Sequence, residues 1–93
     1  MVGIYSPYFR EEEIMNFVYN WLQDKGLSVQ YHRYQEKKIT GFEGVNVVGS
    51  IKGREGGKTV LLNGHLDTVE ICEGWERDPL AGEIVDNRLY GVG

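Results

Sequence analysis

Apolar residues in the first third of the chain recur at helical spacing. Ile14, Phe17, Val18, Trp21 and Leu22 stand at i, i+3, i+4, i+7 and i+8, a single stripe of the 3.6-residue period. The stripe predicts one amphipathic helix over roughly residues 8–25, with Ile14, Phe17, Trp21 and Leu22 buried and Glu12 and Asn16 more exposed. Its aromatic members read as core packing. Ser6-Pro7 reads as N-cap and first helical position. Glu11, Glu12 and Glu13 read as a solvated helix start, where negative charge suits the dipole although slightly late for its full benefit. Lys25-Gly26 supplies a cation in the last turn and a glycine stop.

After Gly26 the period changes to two. Leu27–Tyr34 is rich in β-branched and aromatic residues and predicts a strand, with Val29, Tyr31 and Arg33 on one face and Gln30, His32 and Tyr34 on the other. His32 reads as an ordinary strand histidine. A polar loop around Gln35–Gly44 leads to a second predicted strand, Val45–Ile51, and an exposed turn through Lys52–Gly57. Thr59-Val60-Leu61-Leu62 predicts a third strand. Its apolar residues do not alternate, which implies cover on both faces and burial of Leu61 and Leu62. Gly82–Tyr90 reads as a short hairpin about Asp86-Asn87. The chain stops inside a glycine-rich stretch with no capping element, and this end reads as a cut.

Composition narrows the function classes. With 93 residues, 41% hydrophobic and 26% charged, the chain has the make-up of one small folded domain, expected to bury roughly 60% of its unfolded surface. Ten basic against fourteen acidic residues give a net charge of −4. No basic run exists, which argues against nucleic-acid and anionic-membrane partners. The lone cysteine, Cys72, reads as a loop thiol and fits a reducing compartment, so the expected location is the cytoplasm. No apolar stretch approaches the roughly 20 residues of a membrane span, and the N-terminus lacks the features of a signal peptide.

Chemistry concentrates in Asn63-Gly64-His65-Leu66-Asp67-Thr68-Val69, directly after the third predicted strand. In extended backbone His65 and Asp67 point to the same side. A neutral imidazole can ligate a metal through one nitrogen, and a carboxylate two residues on can accept the proton of the other, fixing the tautomer. Taken alone, the pair reads as an incidental histidine in a surface loop.

Further residues give the pair a context. Leu61–Val69, then Trp75-Glu76-Arg77-Asp78-Pro79-Leu80, Gly82-Glu83-Ile84 and Arg88–Gly93 occur in one order and spacing, with Tyr5-Ser6-Pro7 ahead of the acidic helix. This arrangement resembles the zinc-dependent metallopeptidase and amidohydrolase family of acetylornithine deacetylase, succinyl-diaminopimelate desuccinylase, carboxypeptidase G, aminoacylase and several di- and tripeptidases. The resemblance implies an α/β fold, with residues 1–93 an incomplete N-terminal segment of a mixed-sheet αβα catalytic domain and no second domain. It implies that His65 is the first zinc-binding histidine and that Asp67 is the supporting, catalytic aspartate. Trp75, Asp78 and Pro79 would shape a nearby loop. Leu80 and Val92 depart from the common pattern, where phenylalanine and arginine are usual.

The implied enzyme hydrolyses amide bonds of N-acyl amino acids or short peptides with two zinc ions, for which cobalt or manganese can substitute. In that family the bridging aspartate, the general-base glutamate and the remaining ligands follow the segment matched here. The 93-residue chain is therefore expected to be inactive alone and to self-associate through uncovered sheet. The alternative expectation is a stand-alone, non-catalytic interaction domain derived from such an enzyme.

Overall fold

A computed structural model describes residues 1–93. One helix, α1 (Glu12–Asp24), precedes four strands: β1 (Ser28–Gln35), β2 (Glu43–Ser50), β3 (Glu83–Val85) and β4 (Arg88–Tyr90). The strands form two separate two-stranded antiparallel sheets, β1-β2 and β3-β4. The architecture is a small α+β arrangement of one helix and two antiparallel strand pairs, compatible with part of an α/β domain. The chain divides into two compact units, Met1–Ile14 with Leu66–Gly93, and Met15–His65.

In the Met15–His65 unit, α1 ends as its glycine predicts. The Gly26 N–H donates to the Gln23 carbonyl at 2.9 Å, and the Leu27 N–H donates to the Leu22 carbonyl at 3.1 Å. Those two bonds make a Schellman motif with Gly26 in the left-handed region, φ 82°. Asp24 closes the helix, so Lys25 falls one residue beyond the last turn. Chain reversal brings Leu27 beside Leu22, and both pack toward Gly49, where a Cβ would sit 3.1 Å from Leu22 and 3.3 Å from Leu27. Glycine thus lets the helix end approach β2.

The β1-β2 register pairs Val29 with Gly49, Tyr31 with Val47 and Arg33 with Val45. That face carries the helix contacts. Tyr31 stacks on Tyr19 at 4.3 Å between ring centroids, and its hydroxyl donates to Asn16 Oδ1 at 2.7 Å. Gln30, His32 and Tyr34 occupy the opposite, solvent-facing side, as period-two reading expects. The strands are joined through Glu36, whose carboxylate accepts the backbone N–H groups of Lys38, Ile39 and Thr40 and the Thr40 hydroxyl. The bonds from Thr40, foremost among these, hold Glu36 below the usual carboxylate range.

Four expectations need correction. First, α1 starts at Glu12, not near residue 8. Phe9 takes a left-handed φ of 71°, and the Arg10 N–H donates to the Pro7 carbonyl, so a turn separates Ser6-Pro7 from the helix. Glu12 and Glu13 consequently sit in the first turn, where the dipole favours them most. Second, Ile14 is buried, but Phe17 and Trp21 are 40% and 51% exposed. One two-stranded sheet covers too little of the stripe, and Trp21 is met chiefly by the Lys25 ammonium 5.6 Å from its ring. Third, Thr59–Leu62 is not a strand: it belongs to neither sheet, and Val60, Leu61 and Leu62 are 80%, 84% and 89% exposed. β-propensity alone forms no strand without a chain to bond. Fourth, the accessible surface is 7994 Å², where a folded monomer of this mass exposes about 5,500 Å². Burial is therefore nearer half of the unfolded surface than the expected fraction.

Replacing Gly26 by alanine tests the helix stop. No atom lies within 4 Å of where its Cβ would stand, so the cost is that of left-handed backbone alone, about 1 kcal/mol. Gly53 also has open space but no left-handed φ, and Gly53→Ala serves as the control. Urea denaturation followed by helix circular dichroism should show the loss for Gly26→Ala and little change for Gly53→Ala.

Candidate functional site

His65 is exposed and lies in irregular backbone at the end of the Met15–His65 unit. Asp67 is half-buried and belongs to the other unit. Around Asp67 the backbone is tethered to residues 6 and 7. Pro7 and Thr68 form a parallel β-bridge, the Thr68 N–H donates to the Ser6 carbonyl at 2.9 Å, and the Ser6 hydroxyl donates to the Leu66 carbonyl at 3.0 Å. Ser6 has no exposed surface, and Pro7 is fully buried beside it. Proline suits this place, since a bridge using the neighbouring Ser6 carbonyl needs no N–H from residue 7.

The Tyr5 hydroxyl donates to Glu70 Oε2 and ties the same two segments together one step further along. That bond, ahead of desolvation and the charge of Glu70, raises the phenol above its ordinary value. The Thr68 hydroxyl is buried without a hydrogen-bond partner.

Beyond the loop, Asp78 and Pro79 accept backbone bonds at the turn into β3, and Trp75 is 42% exposed. Asp78 Oδ1 accepts the Leu80 N–H at 2.9 Å, and the Pro79 carbonyl accepts the Val92 N–H at 2.9 Å, beside a buried Val92 side chain. β3 and β4 reverse through Asp86 and Asn87, both left-handed with φ 49° and 61°, as a two-residue turn of matching twist requires. Arg77 pairs with Glu83 at 2.5 Å and lies 4.6 Å over the Tyr90 ring. An open groove of about 410 Å³ runs along Cys72, Trp75, Arg77 and Tyr90.

No group of three or more His, Cys, Asp or Glu side chains gathers where it could hold a metal ion. A catalytic zinc takes at least three protein ligands, so the residues present do not fit a complete zinc site, and no chemical step is assigned to an ion on this chain. No helix is long and apolar enough to cross a membrane.

Sequence reading singled out His65 and Asp67 but missed what holds the loop. From sequence Ser6 reads as a helix cap, and the Tyr5–Glu70 contact has no local signal. The available signal was Pro7 itself, because a residue before proline is driven toward extended backbone, which serves a bridge as well as a cap.

Comparison with known proteins finds similarity over most of the chain. Over 83 residues, 88% of the chain, it is 34% identical to acetylornithine deacetylase of Yersinia pestis, covering 21% of that protein. It is 34% identical over 83 residues to the acetylornithine deacetylase of Klebsiella pneumoniae (strain 342) and 35% identical over 83 residues to that of Vibrio cholerae serotype O1, covering 20% of each. The chain thus spans about a fifth of the length of the curated relatives it matches. No protein-family model and no solved structure matches it.

The Tyr5–Glu70 bond makes a pH prediction. A phenol raised in the folded state contributes stability fully present below its ordinary pKa of about 10 and lost as pH rises through the raised value. Titration of Tyr5, read from its ring carbon shifts, should give a midpoint above that of a free tyrosine. In Glu70→Gln the midpoint should fall toward it.

Proposed function

We propose that this chain is a segment of a metal-dependent hydrolase that cleaves the amide bond of N-acyl amino acids or short peptides, within the zinc-dependent metallopeptidase and amidohydrolase family. The observation that carries the reading is the identity of 34–35% over 83 residues to acetylornithine deacetylases, together with the order of the motifs from Leu61 to Gly93. N-acetylated amino acids such as acetylornithine are the first substrates to try, and the cytoplasm is the proposed compartment.

In this proposal His65 contributes one metal-binding imidazole and Asp67 supports it. A neutral imidazole offers one nitrogen to a cation, and its other N–H requires an acceptor, a task suited to a carboxylate two residues away. A metal ion bound by the whole enzyme would supply Lewis acidity. Its other ligands and the general base would come from segments that the relatives possess and this chain does not span. Alone, the 93 residues should therefore show no hydrolase activity and at most weak zinc binding.

A chimera gives the direct test. Residues 1–93 replace the matching segment of an acetylornithine deacetylase, and the product is assayed on N-acetylornithine. Turnover should survive the exchange and be abolished by a chelator. His65→Ala should lower kcat/KM by more than about a hundredfold, and Asp67→Asn by about ten- to a hundredfold. A folded chimera whose turnover ignores His65→Ala contradicts the proposal, and a folded, inactive chimera favours the interaction-domain alternative.

Self-association of the isolated chain is part of the same proposal. Val60, Leu61 and Leu62 form an exposed apolar run, without proline or charge, of the kind that pairs with another chain. Sedimentation should show concentration-dependent oligomers, and Leu61→Lys should shift them toward monomer.

A further inference from the structure

Ser6 makes two bonds that meet on either side of one residue. Its hydroxyl donates to the Leu66 carbonyl at 3.0 Å, and its carbonyl accepts the Thr68 N–H at 2.9 Å. The Leu66 carbonyl belongs to the peptide plane preceding Asp67, and the Thr68 N–H belongs to the plane following it. Only φ and ψ of Asp67 lie between those two planes. Holding both planes from one buried residue therefore sets both dihedrals, and with them the direction in which the Asp67 side chain leaves the backbone.

We propose that Ser6 is a positioning residue for Asp67, fixing the backbone from which that carboxylate projects. Its relevance to catalysis rests on reading Asp67 as a functional carboxylate; the clamp itself does not. Three observations favour a dedicated clamp over incidental packing. Ser6 is wholly buried, and Pro7 next to it is fully buried, so the clamp cannot exchange its bonds for bonds to water. Pro7 lacks an N–H and fixes its own φ near −65°, which removes a competing donor and stiffens the strand that carries Ser6. The Tyr5 hydroxyl also donates to Glu70, so Tyr5, Ser6 and Pro7 all bond to or bridge residues 66–70.

The chemistry required of residue 6 is specific. It must offer a side-chain donor of one-carbon reach, and it must be small enough to vanish into the interior. Alanine keeps the backbone bond to Thr68 and leaves the Leu66 carbonyl without its donor. Threonine keeps the hydroxyl. Thr68→Val removes the unpartnered hydroxyl of Thr68 and leaves both Ser6 bonds, so it should not loosen Asp67.

The experiment is NMR on the 93-residue chain without metal or substrate. In the unaltered chain a through-bond coupling between Thr68 nitrogen and the Ser6 carbonyl carbon should be detected. Ser6→Ala should speed Thr68 amide exchange by about fivefold, the loss of one ordinary hydrogen bond. It should also shift the Leu66 carbonyl carbon and average the φ-dependent coupling of Asp67. Leu89 and Tyr90 amides in the β3-β4 hairpin should not change, and Ser6→Thr should restore the wild-type values.

Absence of the Thr68–Ser6 coupling in the unaltered chain, which needs no variant to fold, overturns the proposal. So does an Asp67 coupling that Ser6→Ala leaves untouched, or equal acceleration of the hairpin amides, which would mark Ser6 as general packing. Any of these results leaves the hydrolase reading standing. An inactive chimera would end that reading and leave the clamp intact.

Discussion

A β-strand exists only where another chain segment accepts its hydrogen bonds, and this constraint explains most of what these 93 residues do and fail to do. Wherever a segment has a partner close in sequence, it forms the element its pattern dictates. β1 and β2 pair through a short connection held by Glu36, and β3 and β4 pair across Asp86-Asn87. Thr59–Leu62 has a strand-like composition and pairs with neither sheet. Ile14, Val92 and Pro7 are buried, while Leu61, Leu62 and half of Trp21 remain in water.

Local signals are therefore legible in the sequence, and non-local ones are not. Gly26 announced the helix stop because its left-handed backbone is a property of one residue. Asp86-Asn87 announced a tight hairpin for the same reason, and the alternation in Val29–Tyr34 assigned the strand faces that the Tyr31–Tyr19 stack bears out. By contrast, the burial expected for Phe17, Trp21, Leu61 and Leu62 depended on a second layer that no pattern within these residues could guarantee. Ser6-Pro7 illustrates a different failure. Residues at a helix N-cap and residues in a β-bridge share extended backbone, so the dipeptide could not distinguish the two. Thr68, the residue that decides, lies about sixty positions away.

For the candidate site the same division holds. His65 and Asp67 were legible as a motif because their spacing and their neighbours are local. The supports of the Asp67 loop were invisible because Tyr5, Ser6 and Pro7 meet residues 66–70 only after folding. The similarity to acetylornithine deacetylases runs over 88% of this chain and a fifth of theirs.

The central claim is that Thr59–Leu62 is a strand by composition that remains unpaired for want of a partner. Residue-resolved amide hydrogen exchange on the dilute, monomeric chain tests it most directly. Val60, Leu61 and Leu62 should exchange at nearly the rate of an unstructured peptide, while the hydrogen-bonded amides of β1 and β2 are protected. Protection of Val60–Leu62 comparable to that of β1 and β2 in the monomer would show that this chain pairs the segment by itself, and would contradict the account.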